Sequence, residues 1–136
     1  MSDCIFCKII KGEIPSSKVY EDDAVLAFLD IHPINYGHTL VIPKEHHETV
    51  VDLSDNLLQE VILQVKRIGQ AVMAGLRVDG FNIGLNNGRA AGQEVDHVHF
   101  HVIPRLSNDG LKHWPSREYA ESENEKVADK IKQALK

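Results

Sequence analysis

Apolar residues recur along this chain in two rhythms. Between residues 55 and 77 they step by three or four: Leu57, Val61, Val65, Ile68, Val72 and Leu76, widened by Leu58 and Ile62. That spacing predicts one long amphipathic helix, with Ser54 placed to cap its N-terminus. Elsewhere the rhythm is two. Phe81, Ile83 and Leu85 alternate with polar or small residues in a strand over 80–87. Strands are also predicted over 17–21 and 24–30, joined at the turn pair Asp22-Asp23, and over 38–42, closed by Pro43. A further strand is predicted over 95–103. A short helix over 4–11 carries Ile5, Phe6, Ile9 and Ile10 and ends at Gly12 and Pro15. A second terminal helix from about 117 presents Val127, Ile131 and Leu135 on one face. Strands joined mostly by short turns, with one long helix, predict an α+β domain built on an antiparallel sheet.

The length, 136 residues, suits one domain able to bury a core without a staple. The net charge of −5 argues against a nucleic-acid backbone or an acidic membrane surface as the main partner, since both recruit basic patches. No run approaches the roughly 20 apolar residues that span a bilayer. The opening Met1-Ser2-Asp3-Cys4 has neither a basic region nor an apolar signal core, so a cytoplasmic protein is expected. In that compartment the two cysteines, Cys4 and Cys7, are not expected to form a structural disulfide.

Candidate chemistry concentrates in Asp96-His97-Val98-His99-Phe100-His101-Val102. Alternate residues of a strand share a face. His97, His99 and His101 therefore fall on one side, and Val98, Phe100 and Val102 face the core. Strand rise places the Cα atoms of His97 and His101 about 13 Å apart, too far for all three imidazoles to reach one zinc ion easily. Separate roles follow, and they suit attack on phosphorus. A neutral imidazole is a nucleophile near pH 7, oriented through its second nitrogen, while neighbouring imidazoles donate hydrogen bonds to developing charge.

The sequence resembles the histidine triad family, whose signature alternates His with apolar residues. The resemblance runs from Cys4 to Arg105 through CIFCKIIKGEIPSSKVYEDD at 4–23, FLDI at 28–31, GHTLVIPKEH at 37–46 and GQEVDHVHFHVIPR at 92–105. It is nearest the bacterial nucleotide-binding branch, similar to the Hint and Fhit groups. It implies a single domain of that fold over 1–136, with its core at about 4–105 and a tail at about 106–136. It implies a hydrolase or transferase acting on the α-phosphate of purine nucleoside phosphoramidates or dinucleoside polyphosphates. His99 would be the nucleophile forming a nucleotidyl-histidine. His101 would contact phosphate or leaving group, His97 would fix the strand, and His38 would stand near the phosphate. Phe6, Ile9, Phe28 and Ile31 match the base sandwich, Asp30 the ribose-binding acid, and Asn86 and Gln93 the phosphate contacts. Family members usually form homodimers, and a homodimer is expected. The alternative is a nucleotide-binding regulatory or interaction module with little turnover.

Two features leave readings open. At position 94 relatives often carry Ser or Thr, which can donate to phosphate. Glu94 cannot donate when ionised, so either it points outward or the leaving-group preference differs. The C-x2-C pair could supply two thiolates to a structural zinc ion. The resemblance implies His46 and His97 as the other ligands, with His47 an adjacent competitor. Free thiols and a redox pair are the alternatives. A thioredoxin-type pair would open a helix after a strand, and no strand is predicted before Cys4.

Overall fold

A computed structural model describes residues 3–136. Helix α1 (Ile5–Ile10) is followed by strands β1 (Lys18–Glu21), β2 (Val25–Leu29) and β3 (Thr39–Pro43), then helix α2 (Asp55–Leu76), strands β4 (Gly80–Leu85) and β5 (Phe100–Arg105), and helix α3 (Glu123–Ala134). The five strands form one sheet in the order β1-β2-β3-β5-β4, with every neighbouring pair antiparallel.

Both faces of the sheet are covered, and this positions the site. On one face α2 packs Leu57, Val61, Val65, Ile68 and Val72 against Val25, Ala27, Val41, Phe100 and Val102. On the other, α1 packs Phe6 and Ile9 against Leu26, Phe28, Leu40 and Ile42. β3 is central and buried along its whole length. The approach of α2 requires glycine. A Cβ on Gly69 would lie 2.4 Å from Cζ of Phe81 on β4. Gly37, at φ +96°, allows the turn into β3 where a Cβ would lie 2.3 Å from Leu76 Cδ1.

The long helix forms where the apolar stripe predicts it, and Ser54 Oγ accepts the Leu57 N–H at 3.1 Å. The stripe is narrower than expected, because Ile62 is 42% and Leu76 49% exposed. On the edge strand β4, Ile83 is 51% exposed although Phe81 and Leu85 pack against the core.

Two elements start later than predicted. β5 begins at Phe100, not 95, because its pairing with β3 stops at Val41↔Phe100. Upstream the backbone finds other partners: the Val98 N–H donates to His47 O at 2.8 Å, and Pro43 has no N–H to extend a ladder. His97 and His99 thus precede the strand, in an irregular stretch. The C-terminal helix begins at Glu123, not 117, and none of its residues is buried. Its apolar stripe is real, but the domain does not cover it. The end of β5 is clamped by Asp109, which accepts from Arg105 Nε at 2.8 Å, from Asn35 Nδ2 at 3.1 Å and from the Leu106 and Leu111 N–H groups. These donors hold its carboxyl well below the usual range.

Candidate active site

Cys4 caps α1 and Cys7 lies one turn on, so the C-x2-C spacing sets both thiols on one side of a helix start. There they meet two imidazoles. Cys7 Sγ lies 3.3 Å from His46 Nδ1 and 3.6 Å from His97 Nδ1, Cys4 Sγ lies 3.5 Å from His97 Nδ1, and the two Nδ1 atoms are 3.2 Å apart. Zinc–ligand bond lengths at tetrahedral angles give edges of about 3.5 Å between sulfur and nitrogen and about 3.3 Å between two nitrogens. The four donors therefore fit a zinc ion. His47 is not among them: its Nε2 pairs with Glu45 at 2.8 Å.

Hydrogen bonds assign tautomers to His97, His99, His38 and His101. His97 Nε2 donates to Pro43 O at 2.8 Å, which leaves Nδ1 as the lone pair facing the thiols. His99 Nδ1 donates to His97 O at 2.7 Å, which leaves its Nε2 unprotonated. The Ile34 N–H donates to His38 Nδ1 at 3.1 Å, so the His38 proton sits on Nε2 and donates to His101 Nδ1 at 2.9 Å. The His101 proton is then on Nε2, which is buried and has no hydrogen-bond partner among the described residues. A ligand acceptor would relieve that cost. Asp30, His38 and His101 also cluster closely enough to suggest a metal. Their His–His separation of 2.9 Å is a hydrogen bond, however, shorter than the edge two imidazoles present to one ion.

Burial keeps these rings neutral. It lowers His38 and His99 below the ordinary imidazole value, and brings His101 down to about 4, helped by the neighbouring His99 and His38. Asp30 opposes this at all three, and Glu94 opposes it at His99.

His99 and His101 line a cleft of about 360 Å³. Its apolar walls include Phe6, Ile9, Phe28 and Ile31, and Asp30, Asn86 and Glu94 supply polar groups. Six of the expected nucleotide contacts are thus gathered. Gln93 is the exception and lies outside this lining. Its Oε1 accepts the Gly88 N–H at 2.7 Å and its Nε2 donates to Glu48 O and Val95 O, at 2.6 and 3.0 Å. It closes the loop instead of facing a ligand. Asp30 keeps one oxygen for its own turn, where Oδ1 accepts the His32 N–H at 2.9 Å. Pro43 O and the Ile34 N–H were not legible as partners from residue order, because backbone groups carry no residue signature.

A family model, the HIT domain, matches residues 11–108. The chain belongs to the HIT family. An adenosine 5'-monophosphoramidase of Schizosaccharomyces pombe is 43% identical over 98% of each chain. The crystal structure of a HIT family member from Bacillus subtilis superposes with a TM-score of 0.91, at 43% identity and 98% coverage of both chains. A zinc-bound histidine triad family protein from Mycobacterium smegmatis gives a TM-score of 0.78 at 37% identity, again covering 98% of each chain. The α+β HIT-like architecture expected from the sequence is therefore the architecture found. Among the described residues, no helix of this HIT protein is long and apolar enough to cross a membrane.

Proposed function

We propose that this HIT protein hydrolyses purine nucleoside phosphoramidates through a nucleotidyl-His99 intermediate. The observation that carries the reading is the tautomer set: an unprotonated Nε2 on His99 beside an unpartnered N–H on His101, in one cleft. The name of the fission-yeast relative supports the phosphoramidate class.

His99 Nε2 attacks the α-phosphorus while Nδ1–H holds the ring to His97 O. The P–N bond breaks, its electron pair goes to nitrogen, and the departing amine takes a proton from solvent. His101 Nε2–H donates to the charge building on the reacting group. Water then attacks phosphorus, the P–Nε2 bond breaks, and one proton returns to solvent as the nucleoside monophosphate leaves. Phe6, Ile9, Phe28 and Ile31 take the base, Asp30 accepts from the ribose hydroxyls, and Asn86 contacts phosphate.

Cys4, Cys7, His46 and His97 would hold a zinc ion, which supplies a structural cross-link and no step of the reaction. The fit of the donor distances and the zinc-bound relative support this. A homodimer would pair the open edge of β4 and cover exposed Ile83, Met73 and Leu76. Light scattering at micromolar protein gives twice the chain mass if so, and a monomer mass refutes it. A cytoplasmic location accords with these readings.

The hydrolase test is rapid acid-free quenching with radiolabelled adenosine phosphoramidate. Wild type accumulates protein-bound label and releases the monophosphate; His99→Ala does neither. Nucleotide binding by wild type without turnover would overturn the enzyme reading in favour of a binding module.

A further inference from the structure

Glu94 is not turned away from the site. It lines the cleft together with His99, His101 and Asn86. Its backbone is fixed: Arg89 NH1 donates to Gln93 O at 3.2 Å and to Glu94 O at 2.9 Å, while the Gln93 side chain ties the loop from within. Arg89 then spends its other nitrogen on Asp96, at 3.1 Å. The Glu94 carboxylate is left with no ion-pair or hydrogen-bond partner among the described residues.

The rest of the cleft does not offset this charge. Among the described residues, its lining holds Asp30 and Glu94 but no lysine or arginine. Past Glu94 the surface runs into a second depression of about 390 Å³, which shares Ile5, Glu94 and Val95 with the cleft and adds Asp3, Glu48 and Asp96. Arg89, the cation there, is already engaged with Asp96. A leaving group emerging over Glu94 therefore enters an acidic field. A polyphosphate leaving group would meet carboxylates without a counter-cation, whereas an ammonium would be attracted.

We propose that Glu94 sets leaving-group specificity, selecting phosphoramidates whose amine carries a second, free ammonium group. This rests on the hydrolase reading above and names the substrate class within it. Glu94 makes no bond to the reacting atoms; it discriminates by charge, at the rim.

The test uses two adenosine phosphoramidates of equal chain length, one of butylamine and one of diaminobutane, at low ionic strength. Wild type is expected to favour the diamine compound about tenfold in kcat/KM, equivalent to about 1.4 kcal/mol. Glu94→Gln brings the ratio near one, and added salt narrows the wild-type ratio. Equal use by wild type, or a preference that persists in Glu94→Gln, overturns the proposal. Calorimetric binding of the same two compounds to His99→Ala separates this from failure of the hydrolase reading. There, a diamine preference abolished by adding Glu94→Gln supports the role even if wild type turns nothing over, and equal affinities refute it.

Discussion

Replacing His38 with leucine should slow the reaction chiefly through His101, its hydrogen-bond partner. His38 is only 2% exposed; its Nε2 makes one hydrogen bond in the cleft, to His101 Nδ1 at 2.9 Å, and lies 3.8 Å from Asp30 Oδ2. That bond keeps the His101 proton on Nε2. Without it, either His101 tautomer is open and the ring is free to turn. A buried hydrogen bond contributes about 0.5–1.5 kcal/mol net, and each 1.36 kcal/mol is tenfold in rate. His38→Leu should therefore lower kcat about 2- to 13-fold. Removing the donor itself, in His101→Leu, should cost about 10²- to 10³-fold. The decisive assay is the double-mutant cycle on single-turnover rates. If His38 acts by positioning His101, the double variant is no slower than His101→Leu within about threefold. Fully additive losses would refute the relay. The Ile34 N–H also loses its acceptor, so urea unfolding should show a destabilisation of about 1–3 kcal/mol, measured alongside as a folding control.

Three further outcomes follow from the same geometry. Cys7→Ser should release zinc from purified protein and lower the melting temperature, measured by elemental analysis and calorimetry; unchanged metal content would remove Cys7 from the site. Because burial lowers His38, His99 and His101, with His101 near 4, kcat/KM should hold through about pH 6.5, the unfolded value, and decline only as pH falls toward the lowered folded values and these rings take up protons. The stability contribution has the same sign: in that window the unfolded chain binds more protons, so it is intact above about 6.5 and is lost as pH falls toward the folded values. A rate or stability that rises on acidification through this range would contradict the burial. Gly69→Ala should destabilise the fold despite a helix-propensity gain of about 1 kcal/mol, because the new Cβ falls 2.4 Å from Phe81 Cζ. Overpacking costs about 1–3 kcal/mol, and pairing the change with Phe81→Leu should recover part of it in chemical denaturation.

Periodicity alone located α2, most of the strands and the alternation of Val98, Phe100 and Val102 into the core, because burial on one face writes itself into residue order. The C-x2-C spacing likewise placed two thiols on one side of a helical turn. Where the elements stopped was not legible. β5 starts at Phe100 because the backbone before it bonds to the loop at His47, a long-range partner with no local signature. Gln93 looked like a ligand contact by position, yet three backbone groups brought together by folding consume its amide. Spacing by itself does not separate His46 from the adjacent His47, and only the family resemblance pointed to His46; packing presents His46 to the cysteines and leaves His47 to Glu45.

The residues determined which groups are available: five imidazoles (His38, His46, His97, His99 and His101), two thiols and the carboxylates of Asp30 and Glu94. Tertiary structure decided what each imidazole can do. Pro43 O, His97 O and the Ile34 N–H fix which nitrogen of His97, His99 and His38 carries the proton; Pro43 lies 54 residues from its histidine, and the two local contacts depend on how the backbone turns. A histidine's role depends on its second nitrogen, and only the fold determines what that nitrogen meets.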